Sequence, residues 1–321
     1  QTMVNSALAT GDFFELSPGD KALYCLPTKY IAGKMMLVRS FILGLDIDFV
    51  APNSHPLAKN DVKYDFVAMV PLQAQNSLSG LKNVKKMIVG GAKMSKSLEK
   101  SLLKVKTEVY ETYGMTETIT HGIVGDIHLP NRPMSIGKPA TSYEIAILRD
   151  DNTPVDPGET GNLLVRGVHG LSLFLEYLNN PEATAKTYDD QGYFITGDRV
   201  TLGEDGFISF ADRDKDMLKV GGENVAASEI ERVVMTVPGI QECAVVAKRD
   251  PMLDEVPVAF VLVPGGEAAA PKDLAAQIDA ACAKGLADFK RPRDIRIVDA
   301  LPRSTLEKIA KAELRKIVDG E

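Results

Sequence analysis

Over the first 120 positions, short unbroken apolar runs alternate with longer stretches that have helical spacing. Ala22–Leu26 and Phe66–Val70 predict buried strands, and Lys34–Ile42 between them predicts an apolar helix. Lys85–Val89 predicts a further strand that ends in Gly90-Gly91-Ala92. Ser95 then stands as the N-cap of a helix over Ser97–Val105, and Thr107–Tyr110 returns as a strand. This alternation predicts an α/β fold.

The pattern changes near residue 140. Tyr143–Leu148 and Asn162–Arg166 flank the turn-rich Asp150–Gly161, and Tyr193–Thr196 and Phe207–Phe210 flank Gly203–Gly206, so two hairpins are expected. After Asp212 the order is a helix at Ser228–Val237, strands at Glu242–Ala247 and Val256–Val263, a helix at Lys272–Ala283, a strand at Asp294–Val298 and a last helix near Ala310–Val318. That is a compact α+β unit of its own. The expected division is a large domain over residues 1–212, with β-hairpins at its end, and a small one over 213–321. No internal repeat is present, and Gly265–Ala270 reads as a surface loop.

Composition narrows the function classes. With 321 residues, 45% hydrophobic and 25% charged, the chain has the makeup of an ordinary globular protein able to build two cores. A net charge of -7 argues against a nucleic-acid surface and for small-molecule partners. Cys25, Cys243 and Cys282 lie far apart without metal-ligand spacing, which predicts neither disulfides nor zinc and suits a reduced, cytoplasmic setting. The apolar stretches Ile31–Leu45 and Val258–Val263 are too short or too interrupted to span a bilayer, so no membrane partner is expected. The opening Gln1-Thr2-Met3 has no signal-segment pattern and reads as a truncation.

Four stretches carry candidate chemistry. In Tyr110–Glu117 a strand runs into a glycine turn bearing a ring, a hydroxyl and a carboxylate: Tyr113 to stack on a base, Thr116 to bond a phosphate oxygen, Glu117 to hold Mg²⁺. The same residues also describe a strand-end turn with solvated polar groups. In Tyr193–Asp198 a carboxylate follows a glycine at a strand end, where Asp198 would accept from ribose hydroxyls, although Gly-Asp also marks ordinary hairpin turns. Ala211–Asn224 packs charges between the domains and closes on Gly221-Gly222; Arg213 is the natural phosphate or ribose clamp there, against the alternative of a solvated linker. Leu301–Ile309 delivers Lys308 just before the last helix, as a cation for charge developing on a reacting carboxylate and phosphate or as a surface lysine.

In this order the four stretches resemble the adenylate-forming superfamily of acyl- and aryl-CoA synthetases, firefly luciferase and the adenylation domains of nonribosomal peptide synthetases, and the likeness covers nearly the whole chain. Gly90-Gly91-Ala92 resembles its adenine-side loop, Tyr113–Glu117 its Tyr-Gly-x-Thr-Glu motif, Thr196-Gly197-Asp198 its ribose motif and Arg213–Gly222 its hinge motif. The resemblance implies ATP, Mg²⁺ and coenzyme A. It gives Tyr113 and Gly114 to adenine, Thr116 to phosphate, Glu117 to Mg²⁺, Asp198 to the ribose, Arg213 to ribose and phosphate, and Lys308 to adenylation. Lys215 falls at the hinge, while Lys219 and Gly221-Gly222 face the reaction centre after the small domain rotates as a lid for thioester formation. Two departures stand out. The family's glycine-, serine- and threonine-rich phosphate loop, which would lie just before Gln1, is absent, and Glu307 stands where a glycine usually precedes the adenylation lysine.

The two halves differ on the acid. Residues 1 to about 124, especially Cys25–Met36 and Glu111–His121, resemble o-succinylbenzoate-CoA ligase of menaquinone biosynthesis. From Arg132–Pro139 through Gly221–Val225 the sequence is more similar to general or carnitine-type acyl-CoA ligases, which suggests a fusion joined within Gly122–Arg132. Lys29, Lys34 and Arg39 are cations for a second carboxylate, but solvent exposure is the default for Lys34 and Arg39 on a helix. His121 either lines the acyl pocket or packs. No serine or cysteine nucleophile motif is present, in keeping with acyl transfer through an adenylate. Rival expectations are an adenylation domain that loads a carrier protein and a nucleotide-binding remnant that lacks activity. A homodimer is a further expectation.

Overall fold

The computed structural model describes residues 1–57, 61–119, 121–129, 135–140, 143–168, 173–213, 216–303 and 309–320, with the side chains of Asp212 and Arg213 left outside the description. The chain divides into two compact units, one of residues 1–196 and 200–210 and the other of residues 197–199 and 211–321.

The first unit begins with α1 (Thr2–Phe14), β1 (Lys21–Tyr24), α2 (Ile31–Leu43), β2 (Asp46–Phe49), β3 (Tyr64–Met69), α3 (Pro71–Asn76), β4 (Val84–Gly90), α4 (Lys96–Leu102), β5 (Glu108–Gly114), β6 (His121–Asp126) and β7 (Lys138–Pro139). Among the described residues seven strands form a sheet in the order β2-β1-β3-β4-β5-β6-β7. The ladders from β2 through β5 are parallel, and those of β5 with β6 and β6 with β7 are antiparallel.

Successive side chains of a strand face opposite ways, and two cores follow from that alternation. Leu23, Val67, Met87 and Val109 point into one core with Ala74 of α3 and Leu98 and Leu102 of α4. Ala22, Phe66, Ala68 and Ile88 point into the other with Phe14 of α1 and Met36 of α2. The strands are therefore apolar on both faces, the mark of a parallel sheet covered by helices on each side. Ser95 caps α4 as expected, its hydroxyl accepting from Leu98 N at 3.1 Å. The sequence pattern does not announce α1, whose apolar positions are broken by Asn5, Gly11 and Asp12. Close packing on α2 holds it, since a Cβ on Gly11 would stand 2.6 Å from Leu43.

Next come β8 (Tyr143–Leu148), β9 (Thr160–Gly167), α5 (Pro181–Ala185), β10 (Phe194–Leu202) and β11 (Ile208–Arg213), the strands ordered β11-β10-β9-β8. Both expected hairpins are present, β8 pairing antiparallel with β9 and β10 lying beside β11.

The second unit adds β12 (Met217–Val220), β13 (Glu223–Ala226), α6 (Ala227–Val234), β14 (Glu242–Asp250), β15 (Asp254–Leu262), α7 (Leu274–Gly285), β16 (Asp294–Val298) and α8 (Lys311–Asp319). Its strands run β13-β12-β15-β14, with β16 parallel to β15. One face packs on α6 and α7 through Ile230, Val234, Leu274 and Ile278; the other packs on α8 through Leu314 and Val318. The α/β class with a smaller α+β unit thus holds. The three cysteines are buried free thiols, and among the described residues no helix is long and apolar enough to cross a membrane.

Candidate active site

In an open α/β sheet, ligands are held outside the carboxyl ends of the parallel strands. Two candidate stretches leave the sheet there side by side, because the β4–β5 register sets Gly90 opposite Thr112. A Cβ on Gly90 would overlap the Thr112 hydroxyl and stand 2.8 Å from its carbonyl oxygen, so only glycine lets the strands approach. Gly91 has φ 81 and lies exposed with Ala92, leaving the backbone bare toward a ligand. One strand over, Tyr113 is half-buried with its ring 6.4 Å from that of Phe210, and Gly114 ends β5.

The turn beyond Gly114 is closed by its own side chains. The Thr118 hydroxyl accepts from Met115 N at 3.0 Å and donates to Met115 O at 3.1 Å, while Ile119, at φ 66, donates its N–H to Thr116 O at 3.1 Å. Thr116 is left exposed and Glu117 half-buried. The Tyr177 hydroxyl donates to Glu117 Oε1 at 2.8 Å, and Phe174 N donates to Glu117 O at 2.9 Å. Burial, then the carboxylate, push the Tyr177 pKa up to about 12, which keeps it a donor at neutral pH. Nothing else among the described residues bonds the Glu117 carboxylate. That donor set fits Mg²⁺, which takes one or two carboxylates together with phosphate oxygens. It does not make an all-protein cage, and no group of three or more His, Cys, Asp or Glu able to hold a metal occurs among the described residues.

A third cluster adjoins this turn. The β5–β6 register sets His121 opposite Gly114. His121 neighbours the Phe14 ring at 6.1 Å and stands in the field of Arg39, and its pKa is lowered to about 3 by burial first and by Arg39 second. Arg39 corrects an expectation: solvent exposure is the default for a helical arginine, yet its relative exposure is 2%. It lies on the face of α2 turned to α1, where it donates to Thr10 Oγ1 at 3.3 Å and contacts Met36 Sδ at 3.7 Å. Burial lowers its pKa to about 10, with Tyr143 acting the other way. The Tyr143 hydroxyl donates to Thr118 O at 3.0 Å. Lys29 and Lys34 are exposed, as the sequence default has it.

The remaining candidates lie elsewhere. Asp198 is not at a strand end but within β10, with 2% exposure and on the same side as Phe194, Thr196 and Val200; Gly197 before it has φ 67. Asp198 groups with the second unit, whereas Gly90–Ala92 and Tyr113–Glu117 belong to the first. The backbone of Arg213 ends β11. Lys215 and Lys308 lie outside the described residues.

The charged stretch that closes on Gly221-Gly222 is not a linker throughout, because its second part is the β12–β13 hairpin. Val220 pairs with Glu223, and the intervening glycines take φ 60 and 88, the pair of left-handed residues that a type I′ turn requires. Lys219 is exposed on this hairpin, its N–H donating to Glu255 Oε2 at 2.7 Å. Sequence reasoning passed over Tyr177 and Tyr143. Only their contacts across about 60 and 25 residues, respectively, mark them, and neither sits in a motif.

A bare glycine edge, a ring, a hydroxyl and a carboxylate at the carboxyl end of a parallel sheet form a site suited to a metal-bound nucleotide. The chain belongs to the AMP-binding enzyme family, whose profile matches residues 1–178, and the profile of the AMP-binding enzyme C-terminal domain matches residues 229–308. Crotonobetaine/carnitine–CoA ligase of Salmonella arizonae is 38% identical over 208 residues, covering 64% of this chain and 39% of that protein. The protein of the same name from Escherichia coli O8 is 40% identical over 205 residues, with the same coverage of 64% and 39%. The chain thus aligns with well under half the length of these curated relatives.

Among solved structures, o-succinylbenzoate CoA synthetase from Bacillus subtilis in complex with its acyl-adenylate intermediate superposes with a TM-score of 0.84 at 25% identity, covering 98% of this chain and 64% of that one. ATP-bound MatB from Rhodopseudomonas palustris gives 0.86 at 24% identity, covering 98% and 63%, and so shows likeness of fold.

Proposed function

We propose that this chain is the greater part of an AMP-forming carboxylate–CoA ligase whose acid carries a second carboxylate, with o-succinylbenzoate as the best candidate. The substrate carboxylate attacks the α-phosphorus of ATP to give an acyl-adenylate and pyrophosphate, and coenzyme A thiolate then displaces AMP. Gly90–Ala92 and Gly114 let the backbone approach adenine, Tyr113 stacks on it, and Thr116 bonds a phosphate oxygen. Glu117 would hold Mg²⁺, which when bound neutralises charge on the phosphates. Asp198 accepts from the ribose hydroxyls, and Arg213 bridges ribose and phosphate. Lys308 meets the charge that develops in the adenylation step. For thioester formation the small domain, 213–321, turns against residues 1–212 about Lys215 and brings Lys219 and Gly221-Gly222 to the reaction centre. Positioning and charge neutralisation supply the catalysis, without a covalent acyl-enzyme.

The observation that carries the choice of acid is the buried Arg39 beside His121, which stands opposite Gly114 at the end of β5. A guanidinium kept out of water favours a ligand with a distal anion. The curated relatives favour a second reading, a carnitine-type acid. Such an acid presents a quaternary ammonium at its distal end, which a buried cation repels, so the first reading is preferred.

Pyrophosphate release is measured with o-succinylbenzoate, benzoates, crotonobetaine and fatty acids in turn. Release with o-succinylbenzoate well above the others is expected, and preference for crotonobetaine would replace the first reading with the second. A protein that binds ATP or an acyl-sulfamoyl adenosine, yet releases pyrophosphate with no acid, is a nucleotide-binding remnant and not a ligase.

A further inference from the structure

Glu117 is held twice by one short loop, at its carbonyl by Phe174 N and at its carboxylate by the Tyr177 hydroxyl. We propose that Tyr177 is a positioning residue for the cation site, occupying one oxygen of the Glu117 carboxylate so that the other is presented to the metal–nucleotide. The inference rests on the reading of Glu117 as the Mg²⁺ ligand.

The terminal torsion of a glutamate is broad, so an exposed carboxylate samples many orientations and loses that freedom on binding a cation. A donor on a rigid ring removes part of the loss beforehand, much as a hydrogen-bonding partner orients a metal-ligating side chain. Tyr177 is equipped for this because it is itself fixed at several points. Its N–H donates to Thr184 Oγ1 at 3.0 Å. Its ring lies 4.8 Å from that of Phe174, which stacks on Tyr188 at 5.9 Å, and the Tyr188 hydroxyl donates back to Phe174 O at 2.7 Å. Thr184 lies on α5, which is started by Pro181 and capped by the Asn180 side chain accepting from Ala183 N at 3.1 Å. A run of local bonds thus ends on a single carboxylate oxygen. If the hydroxyl of Tyr177 merely satisfied itself on the nearest acceptor, removing it would leave cation binding untouched.

Tyr177→Phe keeps the ring and removes only the donor. Mn²⁺ serves as the probe, its free fraction read by electron paramagnetic resonance during titration of the 321-residue protein with ATP present. The variant is expected to bind Mn²⁺ with ATP about tenfold more weakly, the scale of one hydrogen bond to a charged group, and to bind metal-free AMP as before. In a Glu117→Gln background the same change is expected to have no further effect, since there is no carboxylate left to orient. Unaltered Mn²⁺ affinity in Tyr177→Phe, or an equal loss in both backgrounds, overturns the positioning role while leaving Glu117 as the ligand. Absence of Mn²⁺ binding by the unsubstituted protein overturns the Glu117 reading itself, and the role of Tyr177 with it.

Discussion

The hydroxyl of Tyr143, at the start of β8, donates to the carbonyl of Thr118 at 3.0 Å and so ties the second sheet of the first unit to the turn that follows β5. Thr118 is almost wholly buried, with 1% exposure, and its hydroxyl closes the turn on Met115. The tyrosine reaches the turn of the Tyr113–Glu117 stretch without belonging to it. Tyr143→Phe leaves a buried carbonyl without this donor and should lower the unfolding free energy by roughly 1–3 kcal/mol, as read from urea melts. An unchanged midpoint would show that the bond does not hold the turn.

Two glycines that matter for different reasons should respond differently to alanine. At Gly90 the added methyl meets the backbone and hydroxyl of Thr112, which cannot withdraw without parting β4 from β5, so a cost of roughly 1–3 kcal/mol and weaker ATP binding are expected. At Gly222 nothing lies within 4 Å, but φ is 88, so the cost is backbone strain of about 1–2 kcal/mol with ATP binding retained. Thermal unfolding and equilibrium ATP binding on both variants test the contrast.

His121 predicts a pH dependence of stability. Its folded pKa, lowered to about 3, lies below the ordinary imidazole value of 6.5 because burial and Arg39 disfavour the imidazolium. From pH 6.5 down toward 3 the unfolded chain takes up a proton that the folded chain refuses, so stability is full above that window and falls as the pH drops through it. The slope reaches at most roughly 1.4 kcal/mol per pH unit. His121→Gln should flatten this component in urea midpoints compared at pH 5 and pH 7.5. Equal acid sensitivity in both proteins would place the titration elsewhere.

Arg39 separates a substrate contact from a structural one. Arg39→Met keeps a side chain of similar length and removes the guanidinium with its hydrogen bond to Thr10, so a stability cost of roughly 1–3 kcal/mol is expected. If Arg39 meets a distal carboxylate, the KM for o-succinylbenzoate should rise roughly tenfold or more with the KM for ATP unchanged. A loss of stability with unchanged acid preference would make it a core residue.

Much of the fold was legible in the chain because it depends on local pattern. The short apolar runs at Ala22–Leu26, Phe66–Val70 and Lys85–Val89 fall on β1, β3 and β4, and Ser95 caps α4, since each signal acts within a few residues. The helix α1 escaped notice because its stability comes from packing on α2 rather than from its own pattern. The hairpin β12–β13 was hidden by its charges, although Gly221-Gly222 between Val220 and Glu223 is the turn signal it needs.

The sequence by itself determined the α/β alternation, the change to an α+β unit after the second hairpin, and the glycine, ring, hydroxyl and carboxylate of Gly90–Ala92 and Tyr113–Glu117. All of these are written in neighbouring residues. Only the tertiary structure decided that Arg39 is buried while Lys34 is exposed, that His121 stands opposite Gly114, that Asp198 lies within a strand, and that Tyr177 and Tyr143 reach back to the turn after β5. The environment of a cation or a hydroxyl is set by segments that arrive from elsewhere in the chain. Side-chain type states which bonds a residue can make, and the fold supplies the partner and removes the water.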